Sequence, residues 1–428
     1  MLEAVSTSNE LETPPWHENP IVEWLLAEAW NITDPVILTE SLGAYLVEFG
    51  FPLYRLRINI RTLHPQVVAT GYTWMKSTGK AEIFSAPHSI LQTSAYQDSP
   101  FAAFFENNAG GIRRRLDVPG LPMDYPILKE LQEEGATDYV AMPIYFSDGK
   151  INAITFAADR AGGFSTRELE QLYGMLPILS RLLEVHALRR TAETLLETYL
   201  GKHSGARVLD GLVKRGDGED IHAVIWFCDL RDSTPLADSM PRAEFLLLLN
   251  RFFECMAGAV LDHNGEVLRF IGDAVLAIFP ISAPEEDEED RCKSPESACR
   301  SAVAAVRDAM ARMNEYNRER KEQGESPLGY GIGLHVGDLT YGNIGAPERL
   351  EFTVIGAAAN EAARLEGLCK TLKKPILASG EFVRMSSDAW ASLGEHSFRG
   401  VREKQEIFTL SDPEITPNIT EEKTGEPR

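Results

Sequence analysis

Basic residues are scarce in this chain. Lysine and arginine total 42 against 64 aspartates and glutamates, a formal charge of -22 at pH 7. So acidic a protein is repelled by phosphate backbones, which argues against nucleic acid as a partner. A nucleotide can still bind where a divalent cation offsets the charge locally. Cysteine is scarce too. Cys228, Cys255, Cys292, Cys299 and Cys369 form no CxxC pair and no His/Cys metal spacing, so they read as buried or incidental thiols in a reducing compartment. No apolar run approaches the ~20 residues needed to span a bilayer. The opening MLEAVSTSNELETPP lacks the basic stretch and apolar core of a secretory signal. The expectation is a cytoplasmic protein with no membrane partner.

What is present suits an ordinary folded protein. The 428 residues suffice for two domains, and 44% apolar with 25% charged residues is a globular composition. Residues 1–19 are polar and proline-bearing, and read as a flexible arm. Helical patterning covers residues 20–49. A strand follows over 53–60, with Leu53, Arg55, Arg57 and Asn59 alternating against Tyr54, Leu56, Ile58 and Ile60; only Leu53 is out of phase. Residues 139–146 and 151–157 form a second strand pair around Asp148-Gly149, a dipeptide that supplies the positive φ of a hairpin turn. Ser165 and Glu168 then have capping-box spacing at a helix start. The helix carries Leu169, Leu172, Leu176, Leu179 and Leu183, an a/d seam fit for a partner helix. Pro177 is expected to kink that helix or mark its restart. A further run with Leu188, Leu195 and Tyr199 leads to Gly201.

The Asp-Gly hairpin, the Gly162-Gly163-Phe164-Ser165 helix start and the long exit helix resemble a GAF-type sensor domain. The resemblance implies a GAF-like α/β domain over 20–164 and a signal-transducing helical linker over 165–205. An α/β module that only dimerises stays open as the alternative. No basic, cysteine or histidine cluster defines a ligand there, so the effector, small molecule or protein, is left unnamed.

From residue 221 the patterning sharpens. Residues 223–228 form an apolar strand ending at Asp229. A helix follows with Leu246, Leu249, Phe253, Met256 and Val260 on one stripe, stopping at Asn264-Gly265. Strands 267–271 and 275–279 flank Gly272-Asp273. The acid run 284–290 reads as a solvated loop. Ser294-Pro295 opens a helix with Val303, Val306, Met310 and Met313 facing inward. A strand at 330–336, a turn-rich stretch 337–345, a strand at 352–355 and a helix from about Ala357 complete a β-α-β-β-α-β order of ferredoxin-like plan. The tail 412–428 is proline- and charge-rich and reads as disordered. The fold class is therefore α+β.

Two aspartates carry the chemistry. Asp229 ends a strand in Phe227-Cys228-Asp229-Leu230-Arg231-Asp232-Ser233-Thr234. There a carboxylate can hold a hard cation while backbone N–H groups of 230–234 take phosphate oxygens. Helix capping is the bland alternative. Asp273 sits at a hairpin apex, where turn chemistry alone would account for it. If the apex packs beside the end of the first strand, the two carboxylates can hold two Mg²⁺ or Mn²⁺ ions.

The segments FCDLRDST, GEVLRFIGDAVLAIF, GIGLHVGDLTYGNIG and FTVIGAAANEAARLE resemble, in order and spacing, the catalytic domain of class III adenylate/guanylate cyclases, over residues 221–411. The resemblance implies that Asp229 and Asp273 are the metal pair. It implies that Asn360 orients the ribose and that Arg364 meets charge on the α-phosphate; four residues apart, both fall on one helix face. It implies a head-to-tail homodimer with the metal pair from one subunit and the Asn/Arg pair from the other. For the base, Arg269 stands where lysine is usual in adenylate cyclases, and Thr353 where aspartate is common. Threonine there is similar to a subgroup that includes bicarbonate-responsive cyclases, which adds bicarbonate as a modulator to consider. Arg269 can donate to adenine N1 and the Thr353 hydroxyl can accept from its amino group, which favours ATP. Arginine also pairs with guanine O6 and N7, so a guanylate cyclase using GTP stays open, as does a cyclase-like protein that binds nucleotide without turnover. Arg399 and Arg402 are candidates to clasp the terminal phosphates.

Overall fold

The structure is a computed structural model that describes residues 19–107, 110–120, 122–281, 294–398 and 404–411. The arm before residue 19, the acid run 284–290, Cys292 and the tail from 412 lie outside the described residues. The chain divides into two compact units, Met1–Leu195 and Leu196–Arg428. No described helix is long and apolar enough to cross a membrane.

The first unit contains helices α1 (Pro20–Ala27) and α2 (Pro35–Glu48), strands β1 (Leu53–Arg61), β2 (Val67–Met75) and β3 (Ala81–Pro87), and helices α3 (Ser94–Gln97) and α4 (Pro100–Asn107). Then come β4 (Ile112–Arg115), α5 (Pro126–Glu133), β5 (Asp138–Tyr145), β6 (Ile151–Ala158) and α6 (Thr166–Leu200), the last of which runs on into the second unit. The strands form one antiparallel sheet in the order β3-β2-β1-β6-β5-β4. Asn19, expected in the loose arm, is instead tied down. Its side chain accepts from Ile21 N at 3.1 Å and donates to the Gln171 carbonyl at 2.8 Å.

The β5–β6 hairpin turns through Gly149 at φ +81°, the conformation that Asp-Gly favours. The capping box forms reciprocally: Ser165 N donates to Glu168 Oε2 at 2.6 Å, and Glu168 N to Ser165 Oγ at 3.2 Å. Two expectations for the helix that follows are corrected. Of the kink or restart expected at Pro177, the restart does not occur; α6 runs on through it to Leu200, because one missing donor costs a single hydrogen bond in a helix already held by packing. The leucine seam packs within its own unit, in a core shared with Ile21 and Leu25 of α1 and Leu38 and Leu42 of α2. Leu172, Leu176, Leu179 and Leu183 are buried against the sheet of their own unit, together with Leu56, Ile58, Ile154 and Phe156. The exposed apolar residues of α6 are Tyr173, Val185, Leu188 and Tyr199.

The second unit continues with α7 (Lys202–Leu209), β7 (Gly218–Leu230), α8 (Ser233–Asp238), α9 (Arg242–Asp262), β8 (Glu266–Ile271) and β9 (Ala274–Ile281). Then follow α10 (Pro295–Glu322), β10 (Tyr330–Ala346), β11 (Arg349–Ile355), α11 (Ala357–Leu372), β12 (Ile376–Ser379), α12 (Gly380–Met385), β13 (Trp390–His396) and β14 (Gln405–Leu410). The sheet order is β13-β14-β12-β10-β7-β9-β8, with β11 paired to β10. The β10–β12 pair is parallel, so the sheet is mixed. Alternation along β7 sends Val224, Trp226, Cys228 and Leu230 to the face covered by α9 and α10, and Ala223, Ile225 and Phe227 to the opposite face.

Two expectations shift here as well. Leu246 is exposed, and the buried stripe of α9 is Leu248, Phe252, Met256 and Val260. The turn-rich stretch 337–345 is strand. It continues β10 in register with β7, from Tyr330 opposite Leu230 to Gly342 opposite Gly218, so interstrand pairing overrides the local turn preference of its glycines.

One glycine fixes how close α11 comes to the sheet. A Cβ on Gly333 would overlap the Ala362 carbonyl oxygen of α11. The helix therefore rests on β10 backbone against backbone. Gly333→Ala is expected to destabilise the protein by about 2–3 kcal/mol, because neither backbone can yield cheaply. Urea denaturation measures it, and a cost below half a kcal/mol would show that the helix is free to lift.

Candidate functional site

Strand β7 delivers Asp229 one residue before its end, beside Ala274 of β9 and Gly331 of β10. The β8–β9 hairpin closes through Gly272, at φ +65°, and Asp273, so the apex meets the end of the neighbouring central strand. The convergence expected of the two aspartates is present. They are close enough for their carboxyls to share a hydrogen bond, and the Asp229 carboxyl is pushed up to about 6, first by burial and then by the charge of Asp273. Asp229 Oδ1 is buried without a hydrogen-bond donor.

This donor set fits a divalent cation. Two hard oxygen ligands face each other, one buried oxygen has no partner, and the repulsion that favours a shared proton would equally be relieved by Mg²⁺ or Mn²⁺. No group of three or more Asp, Glu, His or Cys that could hold a metal occurs among the described residues. The remaining coordination positions would fall to backbone carbonyls, water and phosphate oxygens.

Arg231 was expected to offer its backbone N–H to phosphate, but that N–H donates to the Gly329 carbonyl at 2.9 Å. Its guanidinium does not face solution to receive phosphate. Nη2 lies 2.7 Å from Glu366 Oε1 and donates to the Glu366 carbonyl at 2.9 Å, with the arginine side chain only 17% exposed. This pair packs over Gly331, where a Cβ would overlap both side chains. Burial raises the Glu366 carboxyl to about 7, Arg231 opposes the shift, and Asp229 and Asp273 add to it. Arg231 thus keeps its positive charge inside the fold, where it acts on Asp229 while bound to Glu366.

The rest of the loop stays open. Asp232 adopts φ +54°, and its carboxylate takes Lys370 Nζ at 2.8 Å. No side chain caps α8, which begins at Ser233, so the N–H groups of Ser233 and Thr234 are at a helix start without a side-chain acceptor. Leu230 is buried in the core. Arg399 and Arg402 lie outside the described residues.

The base-recognition candidates gather elsewhere. A pocket of about 430 Å³ is lined by Arg269, Ile271, Glu351, Thr353, Ile355 and Asn360, among others. Arg364, one turn beyond Asn360 on α11, is half-buried and does not line it, and neither do Asp229 and Asp273. Glu351 was not anticipated. It stands two residues before Thr353 on β11, hence on the same face, and that spacing was the available signal. Its Oε1 lies 3.0 Å from Arg269 Nε, both side chains being half-exposed. The guanidinium is therefore held in the pocket by a carboxylate.

The family model of the adenylate and guanylate cyclase catalytic domain matches residues 219–412. This half of the chain is a class III nucleotide cyclase catalytic domain. Protein Rv1320c of Mycobacterium tuberculosis (strain ATCC 25618 / H37Rv), itself uncharacterized, is 37% identical over 219 residues, which is 50% of this chain and 35% of that protein. The chain spans about a third of the length of the curated relatives it matches. Among solved structures, a bacterial light-regulated adenylyl cyclase is 26% identical, with a TM-score of 0.38 over 45% of this chain and 91% of that one. The guanylyl cyclase Cya2 is also 26% identical, with a TM-score of 0.38 over 46% of this chain and 96% of that one.

The cyclase domain's carboxylate pair has a measurable signature. Because the Asp229 carboxyl is raised from 3.8 to about 6, the stability linked to it is complete below about 3.8 and is lost as pH rises through about 6. Asp273→Asn removes the repulsion. Without metal at pH 7.5 it should be more stable by about 1 kcal/mol, after allowance for solvent screening of a half-exposed pair. It should also lose most of the rise in Tm that Mn²⁺ gives the parent. Thermal melts with and without Mn²⁺ read both, and an undiminished Mn²⁺ response would remove Asp273 from the metal site.

Proposed function

We propose that the protein is an adenylate cyclase, converting ATP to 3′,5′-cyclic AMP and pyrophosphate at two sites shared by a homodimer, under control of its N-terminal unit. One observation carries the dimeric reading. Arg269, Thr353 and Asn360 line a single pocket that excludes Asp229 and Asp273, so one chain presents two half-sites. Exposed Phe270, Ile271 and Ile355, the last two lining that pocket, support a second copy docking there.

Asp229 and Asp273 would hold Mg²⁺ or Mn²⁺, which when bound makes the 3′-hydroxyl more acidic and offsets charge on the triphosphate. The free N–H groups at the start of α8 would take phosphate oxygens. Asn360 would position the ribose so that its 3′-oxygen faces the α-phosphorus. As that oxygen bonds to phosphorus and the bond to pyrophosphate breaks, Arg364 would stabilise the charge gathering on the α-phosphate. Buried behind the pair, Arg231 would keep the carboxylates ionised without occupying the substrate's place. For control, Ser204 of α7 donates to Glu266 Oε1 at 3.2 Å, and Tyr341 to the same oxygen at 2.7 Å. Glu266 begins the strand whose turn bears Asp273, so movement of α7 would reach the metal pair.

Adenine is favoured because Arg269 can donate to N1 while Thr353 accepts from the amino group, with Glu351 holding the guanidinium in place. One observation favours the second reading, a guanylate cyclase: Glu351 is itself an acceptor in the pocket and could take guanine N1–H and N2–H. Turnover of ATP and GTP by purified protein with Mg²⁺ and with Mn²⁺ decides between them, and a GTP preference overturns the adenine reading. Under that reading, Glu351→Ala should raise KM for ATP about tenfold with little change in kcat, since a loosened arginine loses about one hydrogen bond to the base.

Subunit sharing has its own test. Asp273→Ala and Asn360→Ala should each be inactive alone. Mixed and allowed to exchange subunits, they should recover roughly a quarter of parental activity, because half the dimers are hybrids with one intact site. No recovery in mixtures shown to form hybrids would refute the shared site.

A further inference from the structure

The first unit holds a cavity of about 590 Å³ on the sheet face opposite its leucine core. Strand β1 sends Leu56, Ile58 and Ile60 into that core, and alternation places Arg55, Arg57, Asn59 and Arg61 along the cavity. The arginines are not ordinary surface charges. Arg55 is buried and pairs with Glu130 at 3.2 Å. The Arg57 guanidinium lies between two rings, 5.9 Å from the Phe84 centroid and 5.6 Å from that of Phe101. Its Nε donates to Asn59 Oδ1 at 3.3 Å, and its terminal nitrogens have no acceptor among the described residues. Arg61 stacks over Phe105 at 5.4 Å and likewise has no ion pair there.

Asn59, 8% exposed, has an amide nitrogen with no hydrogen-bond partner. The carboxylates of the lining, Glu130, Glu106 and Asp98, belong to exposed residues, whereas Arg57 is set within the aromatic wall. An unpaired guanidinium and an unpaired amide, flanked by aromatic faces in a cavity of ligand size, ask for one kind of occupant.

We propose that this cavity is the binding site for a flat aromatic organic acid, whose anionic group engages Arg57 and the Asn59 amide while its ring system lies among Phe84, Phe101 and Phe105. The planar fork of Arg57 suits two oxygens of one acidic group. Burial of the guanidinium and the charge of Arg55 make its protonated form costly, and a bound anion would offset that cost. Gly71 keeps the space open, since a Cβ there would approach Asn59 Oδ1 to 2.9 Å and Arg57 Nη2 to 3.3 Å. The inference does not depend on the cyclase reading.

Fluorescence titration of the full-length protein tests it, with 8-anilinonaphthalene-1-sulfonate as the anionic probe and N-phenyl-1-naphthylamine as its neutral counterpart. The parent should bind the sulfonate at least tenfold more tightly than the amine, and 2-naphthoate should displace it. Arg57→Gln should weaken sulfonate binding at least tenfold and leave the amine unchanged, while Arg57→Lys retains part of the difference. Equal affinity for the two probes, or equal sulfonate affinity in parent and Arg57→Gln, overturns the proposal. Should circular dichroism show that Arg57→Gln is unfolded, Gly71→Ala takes its place. It should weaken naphthoate competition several-fold, and unchanged competition would equally overturn the assignment.

Discussion

Two carboxylates that face each other in a half-buried turn repel once both are ionised, and a shared proton or a bound cation relieves that repulsion. The cyclase domain holds Asp229 and Asp273 in that position. Asp229 is fixed by the central strand of the sheet, paired on both sides, and Asp273 by the tight turn of the adjoining hairpin. The backbone segment that carries each of them is held by a ladder of backbone hydrogen bonds. The repulsion is therefore kept rather than relaxed, and the Arg231–Glu366 pair behind it supplies charge without supplying a ligand. A cation bound there would relieve that repulsion and gain affinity from it.

The second group of candidate residues is assembled by different means. Helix α11 carries Asn360 and Arg364 and lies against β10, while β8 and β11 bring Arg269, Glu351 and Thr353 to the pocket beneath Asn360. In the proposed reading, selectivity for the base would rest on a small network in which a carboxylate positions a guanidinium. A single charge change at residue 351 would alter what the pocket can donate and accept, with the metal pair untouched.

Much of this was legible in the sequence because local rules suffice for it. The capping box of Ser165 and Glu168, the Asp-Gly hairpin and the stop at Asn264-Gly265 each involve neighbours within a few positions. Strand ends and a hairpin apex left the convergence of Asp229 and Asp273 open, and the family resemblance was what implied it. What escaped was set by packing between distant segments. The leucines of α6 have a spacing that suits a partner helix equally well, and only the fold shows that their own unit takes them. Glycines 337, 342 and 345 signal turns locally, yet pairing of β10 with β7 and β11 makes them strand. Arg231 sits in a loop fit for phosphate, but Glu366, 135 residues away, draws it inward. Arg55, Arg57 and Asn59 were visible as alternate residues of one strand; that they share a cavity required Phe101 and Phe105 to close over them from a separate helix.

The contact at Gly333 separates two things that could otherwise have drifted together. The height of α11 above the sheet is set by an absent atom, with backbone meeting backbone, and not by any side chain that substitution could enlarge or trim. The residues around the pocket of Arg269, Glu351 and Thr353 could therefore be exchanged while α11 keeps its place. The composition of the pocket is insulated from the height of the helix by a position at which almost nothing can change.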